Sequence, residues 1–345
     1  MATLNDVLDM IATLSVTDRA KLNDILLGTH TSINGTLADY TEEHRFSNGR
    51  VCPHCGGTHV VRNGHRKDGK QRFVCRDCGK SFVINANAIT SGTRKDLSTW
   101  QAYIDCMMNG FSVRKSADVC GICKNTAFDW RHKVLDALQG MQDSVELEGI
   151  VEADETFFPV SYKGNHKNSQ TFTMPREPHH RGGEIHKRGL SDEQVCVVCA
   201  VNRNGLSYGK IGKLGKVSQK CIEVVLDKRI KSSSTLCTDK EKGYRPYAKK
   251  HELSLVQLDS GKSKKGIFHI QYINSYHSRL KDFVGRFKGV STKYLNNYIV
   301  WNNLVVFAKE TTAEKAKIFL AYVLTTLKTV HSRTLSDRPA LPLLV

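Results

Sequence analysis

The sequence predicts an α/β fold in which a mixed-sheet domain follows a small cysteine-bearing module and a helical one, and three observations predict it. Two CxxC pairs sit in a stretch rich in glycine and basic residues, Asn48 to Gly92. Apolar residues at helical spacing then run from Leu97 to Leu138. From Leu147 onward the pattern changes to short apolar runs separated by helical stretches, as in a sheet with crossover helices.

Residues 1–46 carry Leu4, Val7, Leu8 and Ile11, then Leu22, Ile25 and Leu26, with Thr17 and Asp18 as caps, which predicts short N-terminal helices. Residues 47–92 form the cysteine module and 93–142 the helical one. Within 147–312, strands are expected at Glu148–Phe158, Glu193–Val201 and Leu206–Ile211. A helix at Gln219–Lys231, a strand at Thr235–Cys237, a helix at Tyr244–His251 and a strand at Leu253–Leu258 follow. This βββαβαβ order, with long helices after it, suits an RNase H-like sheet. Ser161–Arg188, rich in Gly, His and Lys, reads as a surface loop. Residues 313–345 read as a C-terminal helix and tail, because Ile318–Leu327 is about half the length that spans a bilayer and is bracketed by Lys315, Lys317 and Lys328.

Composition narrows the partner. The chain has 345 residues, 51 Lys+Arg against 34 Asp+Glu, and a net charge of +17. That excess favours a polyanion such as DNA or RNA over a membrane surface. Met1–Met10 contains Asp6 and Asp9 and lacks the basic-then-apolar order of a secretory signal, so a cytoplasmic location is expected. Eleven cysteines in such a compartment argue for metal ligation or plain burial rather than disulfides.

Cys52-Pro-His-Cys55 and Cys75-Arg-Asp-Cys78 are two knuckles whose spacing lets two tight turns present four thiolates to Zn²⁺. Four thiolates leave no open position for water, so the site is structural. Phe73 and Phe82 could supply a small core, and Arg62, His65, Arg66, Lys67, Lys70, Arg72 and Arg76 suit phosphate contacts or a solvated basic face. Cys120-Gly-Ile-Cys123 and Cys196-Val-Val-Cys199 lack partner knuckles and read as core packing.

In the helical module, Ala117, Gly121 and Ile122 permit the close crossing of a helix-turn-helix, although an ordinary helical hairpin fits the same residues. On the second helix Lys124, Asn125 and Thr126, with Arg131 and Lys133 beyond, are candidates to reach bases and phosphates.

Two aspartates stand where charge is costly. Asp154 lies inside the apolar run Val151–Phe158, and Asp239 ends the run Leu236-Cys-Thr. Either alone reads as a salt-bridged strand residue; together, carboxylates on adjacent strands can hold a pair of Mg²⁺ ions about 4 Å apart. Downstream, Asn274, His277, Ser278 and Lys281 share one face of an expected helix, opposite a buried stripe of Ile273, Tyr276, Leu280, Phe283 and Phe287. Glu155, Glu241 and His277 are further neighbours that could assist or merely surround the aspartates.

Asp154, Asp239 and a helical polar residue with a lysine seven positions beyond it resemble the DDE transposases, in which the third position is usually glutamate. The run Asn274-Ser-Tyr-His-Ser-Arg-Leu-Lys281, then Phe287–Leu295 and Tyr298-Ile-Val-Trp301, resembles the zinc-ribbon insertion-sequence branch whose signature is Asp-Asp-Asn-Lys. The resemblance covers about Val51 to Trp301. It implies an RNase H-like catalytic domain in a bacterial cytoplasm, with catalytic Asp154, Asp239, Asn274 and Lys281. It also implies Mg²⁺ or Mn²⁺ held by Asp154, Asp239 and Asn274, and structural Zn²⁺ on Cys52, Cys55, Cys75 and Cys78. The implied partner is double-stranded DNA, both terminal inverted repeats and target, bound by a homodimer or higher oligomer through Lys124, Asn125, Thr126, Arg131 and Lys281. Lys262, Lys264, Lys265, Arg279, Arg286, Lys288 and Lys293 are available for further phosphates. A transposase-derived DNA-binding regulator would keep the ribbon and lose the acidic pair; an RNase H-like nuclease would cut without joining.

Overall fold

Turn chemistry, caps and alternating burial divide the chain in the computed structural model, which describes residues 37–165, 172–175, 190–259, 264–307, 312–326, 328 and 330–345. The expected helices before residue 37 and most of the expected Ser161–Arg188 loop lie outside the described residues. Two compact units form, one of residues 1–138 with 310–332 and one of 139–309 with 333–345.

The first unit holds helix α1 (Leu37–Arg45) and a three-stranded antiparallel sheet of β1 (Val60–His65), β2 (Gln71–Cys75) and β3 (Ser81–Val83). Phe73 and Phe82 face each other across β2 and β3, ring centroids 5.6 Å apart, and with Val60, Cys52 and Cys75 make up the sheet's small core. Helix α2 (Leu97–Met108) is capped by Asp96, whose carboxylate accepts the Thr99 amide at 2.8 Å. Helices α3 (Val113–Cys120) and α4 (Lys124–Asp143) follow. Between them Gly121 takes a left-handed conformation, φ 59°, where a side chain would add strain. Trp100 of α2 stacks on Trp130 of α4 at 3.7 Å. Near the C-terminus the expected helix appears as α9 (Thr312–Thr325) and packs against α1 and α2, so it joins this unit rather than standing apart.

The second unit is built on a five-stranded mixed sheet. Its strands are β4 (Ile150–Pro159), β5 (Gln194–Asn202), β6 (Ser207–Leu214), β7 (Thr235–Thr238) and β8 (Ser254–Gln257), in the order β6-β5-β4-β7-β8. The first three run as an antiparallel meander, and β4, β7 and β8 are mutually parallel. Crossover helices α5 (Gln219–Leu226) and α6 (Tyr244–Lys250) complete the expected βββαβαβ order. Helix α5 ends at Leu226 rather than Lys231, because Lys228 adopts φ 56° and Ile230 leaves the helix to bridge Leu147.

Alternation along β4 and β5 sorts the faces. Val151, Ala153, Cys196, Val198 and Ala200 pack with Cys221, Ile222 and Val225 of α5 and Tyr244 and Tyr247 of α6. The opposite face receives α7 (Gln271–Gly285), which packs on β4 and β5, while α8 (Leu295–Asn302) lies on β6. Gly209 of β6 permits that approach, since a Cβ there would lie 2.9 Å from the Tyr276 hydroxyl and 3.1 Å from Ile299. A two-stranded hairpin, β9 (Lys264–Lys265) and β10 (Phe268–His269), precedes α7. The described residues end with the short helix α10 (Ser332–Ser336) and the tail.

Candidate active site and metal centre

The knuckles are built from backbone amides. The His54 and Gly57 N–H groups donate to the Cys52 and Cys55 sulfurs, each at 3.4 Å. Burial pushes the Cys52 thiol up, but the His54 and Cys55 amides together with the Cys55 and Cys78 sulfurs outweigh it and hold it below its ordinary value. Cys52 and Cys78 sulfurs lie 3.8 Å apart and Cys55 and Cys75 sulfurs 3.7 Å. A tetrahedron with Zn–S bonds of about 2.3 Å has edges of about 3.8 Å, so these thiols already stand at the corners of a zinc site. All four ligand atoms lie within 4.8 Å of one another, and among the described residues no other group of three or more His, Cys, Asp or Glu does so. The four-cysteine cluster fits structural zinc.

In the helical segment after the ribbon, α4 begins with Lys124 and Asn125 exposed and Thr126 partly so. Arg131 departs from expectation: it is fully buried, its guanidinium donating to the Phe111 carbonyl at 2.6 Å. A guanidinium without surface cannot reach a phosphate, so Arg131 braces the turn before α3 instead. Cys120 is buried as expected, but Cys123 is exposed, taking the Thr126 amide on its sulfur at 3.4 Å at the start of α4. Lys293, expected to face phosphate, is likewise buried and donates to the Asn165 side chain at 3.1 Å.

The acidic centre follows from the parallel pairing of β4 with β7. Ile150, Val151 and Glu152 pair with Thr235, Leu236 and Cys237, and Asp154 and Asp239 each lie two residues beyond the last pair, close enough for the Asp239 charge to act on Asp154. Neighbouring strands lie about 4.8 Å apart. Asp154 is 21% exposed, accepts the Glu155 amide at 2.9 Å, and has the His277 ring 3.8 Å away. Asp239 follows β7 and accepts the Glu241 amide at 2.9 Å, while its carbonyl takes the Gln257 amide at 3.0 Å.

Electrostatics records the crowding. Burial pushes Asp154 up to about 6, with the charge of Asp239 adding to the rise and Lys281 opposing it. Burial, reinforced by the Lys281 charge, pulls His277 down to about 4, so it meets Asp154 as a neutral ring. Lys281 therefore acts on Asp154 from the helix face that His277 also occupies. Asn274 stands one turn earlier on that face, exposed. Glu155 points to the other side of β4, where it accepts the Tyr244 hydroxyl at 2.5 Å, and burial pushes it up to about 8. It is therefore no partner of Asp154 on the α7 face. The carboxylates of Asp154 and Asp239 are hard oxygen donors of the kind a divalent cation such as Mg²⁺ takes.

Sequence reasoning missed the buried group beside this centre, Glu152 with Arg203 and His269. The available signal was its position two residues before Asp154, which places both on one face of the strand.

Comparison with known proteins gives the family. Solved structures of Mos1 transposase complexes are similar at low identity. A crystal structure of a pre-cleavage Mos1 transpososome matches at 8% identity and TM-score 0.21, covering 92% of this chain and 95% of that one. A Mos1 transposase paired-end complex with the left transposon end matches at 9% and 0.24, covering 93% and 97%. A protein from Halobacterium salinarum, described as an uncharacterized protein in transposable element ISH50, is 23% identical over 266 residues, 76% of this chain and 87% of that protein. Residues 36–81 match the transposase zinc-ribbon domain, and residues 146–301 match the ISXO2-like transposase domain. With both domains in series on one chain, this protein belongs to the zinc-ribbon DDE transposases of insertion sequences.

Proposed function

We propose that this transposase cleaves DNA at the ends of its element and transfers the freed 3′ hydroxyl into target DNA. The observation that supports the proposal is the parallel pairing of β4 with β7, which brings Asp154 close to Asp239 just beyond β7, with the His277 ring of α7 3.8 Å from Asp154 and the Lys281 charge acting on it. Asp154 and Asp239, completed by the Asn274 amide oxygen, would hold the divalent ions. Such ions, when bound, supply activation of water and charge stabilisation for the entering and leaving oxygens of phosphodiester transfer.

The chain's own side chains do the rest. Lys281 holds a phosphate beside Asp154, and His277, neutral and buried, fills the wall of the site without adding charge. Lys124, Asn125 and Thr126 at the start of α4 enter the major groove, and the ribbon's exposed Arg66, Lys67, Arg72 and Arg76 grip the backbone. Recognition then falls to the first unit and chemistry to the second. Pairing two element ends in one reaction calls for at least a homodimer, acting in the cytoplasm on double-stranded DNA.

The test uses zinc-loaded protein, Mg²⁺, labelled DNA from the flanks of the gene, and a target plasmid. Joined products that disappear with Asp154→Ala are expected. Binding without cleavage by folded wild-type protein would point to a DNA-binding regulator, and cleavage without joining to a nuclease.

A further inference from the structure

Glu152 is fully buried on β4, on the same face as Asp154, and the chemistry described so far does not use it. One carboxylate oxygen accepts the Ile273 amide, in the first turn of α7, at 3.0 Å. The other lies 3.0 Å from an Arg203 guanidinium nitrogen and 3.2 Å from the His269 ring. Arg203 follows β5 and His269 ends β10, so one carboxylate ties three elements to β4. Arg203 reinforces the tie: its guanidinium lies 4.8 Å from the centre of the Tyr272 ring and reaches the Ile267 carbonyl at 3.4 Å.

A buried carboxylate needs such partners, and a helix N-terminus supplies free amides and a favourable dipole. The spacing adds a second constraint. From Glu152 to Asp154 the strand advances about 6.7 Å, and from Ile273 to His277 the helix advances about 6 Å. Glu152 accepts the Ile273 amide, and two residues along the strand Asp154 lies 3.8 Å from the His277 ring one turn further along the helix, so the one hydrogen bond sets which helix residues come level with Asp154.

We propose that Glu152 is the positioning residue that sets the register of α7 against β4, and so holds Asn274 and Lys281 in place relative to Asp154. It rests on the reading of those residues as the active site. Glu152 itself touches neither DNA nor metal.

The test compares full-length, zinc-loaded wild type with Glu152→Gln and Glu152→Asp. Glu152→Gln keeps the size of the side chain and an acceptor for Ile273 but loses the negative charge that faces the Arg203 guanidinium; Glu152→Asp keeps the charge but falls one methylene short. Without Mg²⁺, amide exchange at Ile273–Tyr276 is expected to quicken about tenfold in both, while Leu280–Val284 and the β4–β6 amides stay as in wild type. In the cleavage assay the rate at saturating DNA should fall about 10–100-fold, with the half-saturating Mn²⁺ concentration raised and the Kd for end DNA within about twofold. Unchanged exchange in the first turn overturns the proposal. So does exchange that quickens equally along α7 and β4–β6, since that marks a general structural role. If wild type itself neither cuts nor joins, the functional reading fails, and the exchange data still decide whether Glu152 docks the helix.

Discussion

Removing zinc should unfold the ribbon and leave the catalytic sheet standing. The ribbon's apolar core is small: Phe46, Ile84 and Ala86 pack only partly buried against Val60, Phe73 and Phe82, its fully buried side chains other than cysteine. At about 1.5–3 kcal/mol each, they contribute about 5–9 kcal/mol. Structural zinc in small modules contributes about 10–16 kcal/mol, so the metal stabilises the ribbon more than its apolar core does. The second sheet is different, because its core draws on Val151, Ala153, Val198, Ile222, Leu236 and Tyr244, none of them from the ribbon. Chelation, or Cys75→Ser at a fully buried ligand, is the perturbation. A metallochromic dye should count about one zinc released per chain, and amide exchange should be followed over β1–β3 and β4–β6. Protection in β1–β3 is expected to drop at least about 100-fold, equivalent to about 3 kcal/mol, while that of β4–β6 changes less than about threefold. A ribbon that keeps its protection after zinc has left would show that three apolar side chains suffice to fold it. Loss of protection in both sheets together would show that they are not independent, and either result overturns the prediction.

Further predictions concern single side chains. Arg131→Ala removes a buried cation and strands the Phe111 carbonyl, so it should destabilise the first unit by about 2–4 kcal/mol; thermal denaturation checks it, and an unchanged Tm would contradict the bracing role. Lys124→Ala and Asn125→Ala should leave Tm unchanged but weaken binding of end DNA by about 1–3 kcal/mol if either reads a base, measured by fluorescence anisotropy at fixed salt. Tyr244→Phe deprives the half-buried Glu155 carboxyl of its hydroxyl partner and should cost about 1–3 kcal/mol, read by denaturant titration. Asp96→Ala should cost about 1 kcal/mol at neutral pH as the α2 cap is lost. The Thr99 hydroxyl and amide hold the Asp96 carboxyl below its ordinary value, so this stabilisation is complete above the unfolded value and fades as pH falls through the lower folded one. The Tm gap between wild type and Asp96→Ala should therefore close in acid; a gap that widens there would contradict the cap.

Much of the fold is legible in the sequence because the signals are local. The two CxxC pairs need only tight turns to converge, and their sulfurs stand 3.7 and 3.8 Å apart in the fold. Short apolar runs bounded by turns mark β4, β5 and β6, and Asp154 and Asp239 stand out as charges in or at the end of such runs. What escapes depends on tertiary packing. Arg131 and Lys293 look like surface cations from their residue type, yet each is buried and bonded to an acceptor well removed in sequence. Glu152 is no more conspicuous in sequence than Glu155, and only the fold shows that one faces the start of α7 and the other Tyr244. Spacing puts Phe287 in the buried stripe of α7, but it lies beyond the helix, half-buried against Trp301 and Tyr298. Composition extends the helix after Gln219 through Asp227–Lys231, while the left-handed turn at Lys228 and the bridge of Ile230 to Leu147 are set by the neighbouring strands.

Catalysis as proposed requires Asp154 and Asp239 to hold divalent metal together. Mn²⁺ binding to the zinc-loaded protein on end DNA, followed by electron spin resonance, tests this with wild type, Asp154→Ala and Asp239→Ala. Bound Mn²⁺ is expected in wild type and should be lost in either variant while zinc content and DNA affinity persist. Mn²⁺ retained at the wild-type level in both variants would contradict a shared carboxylate site.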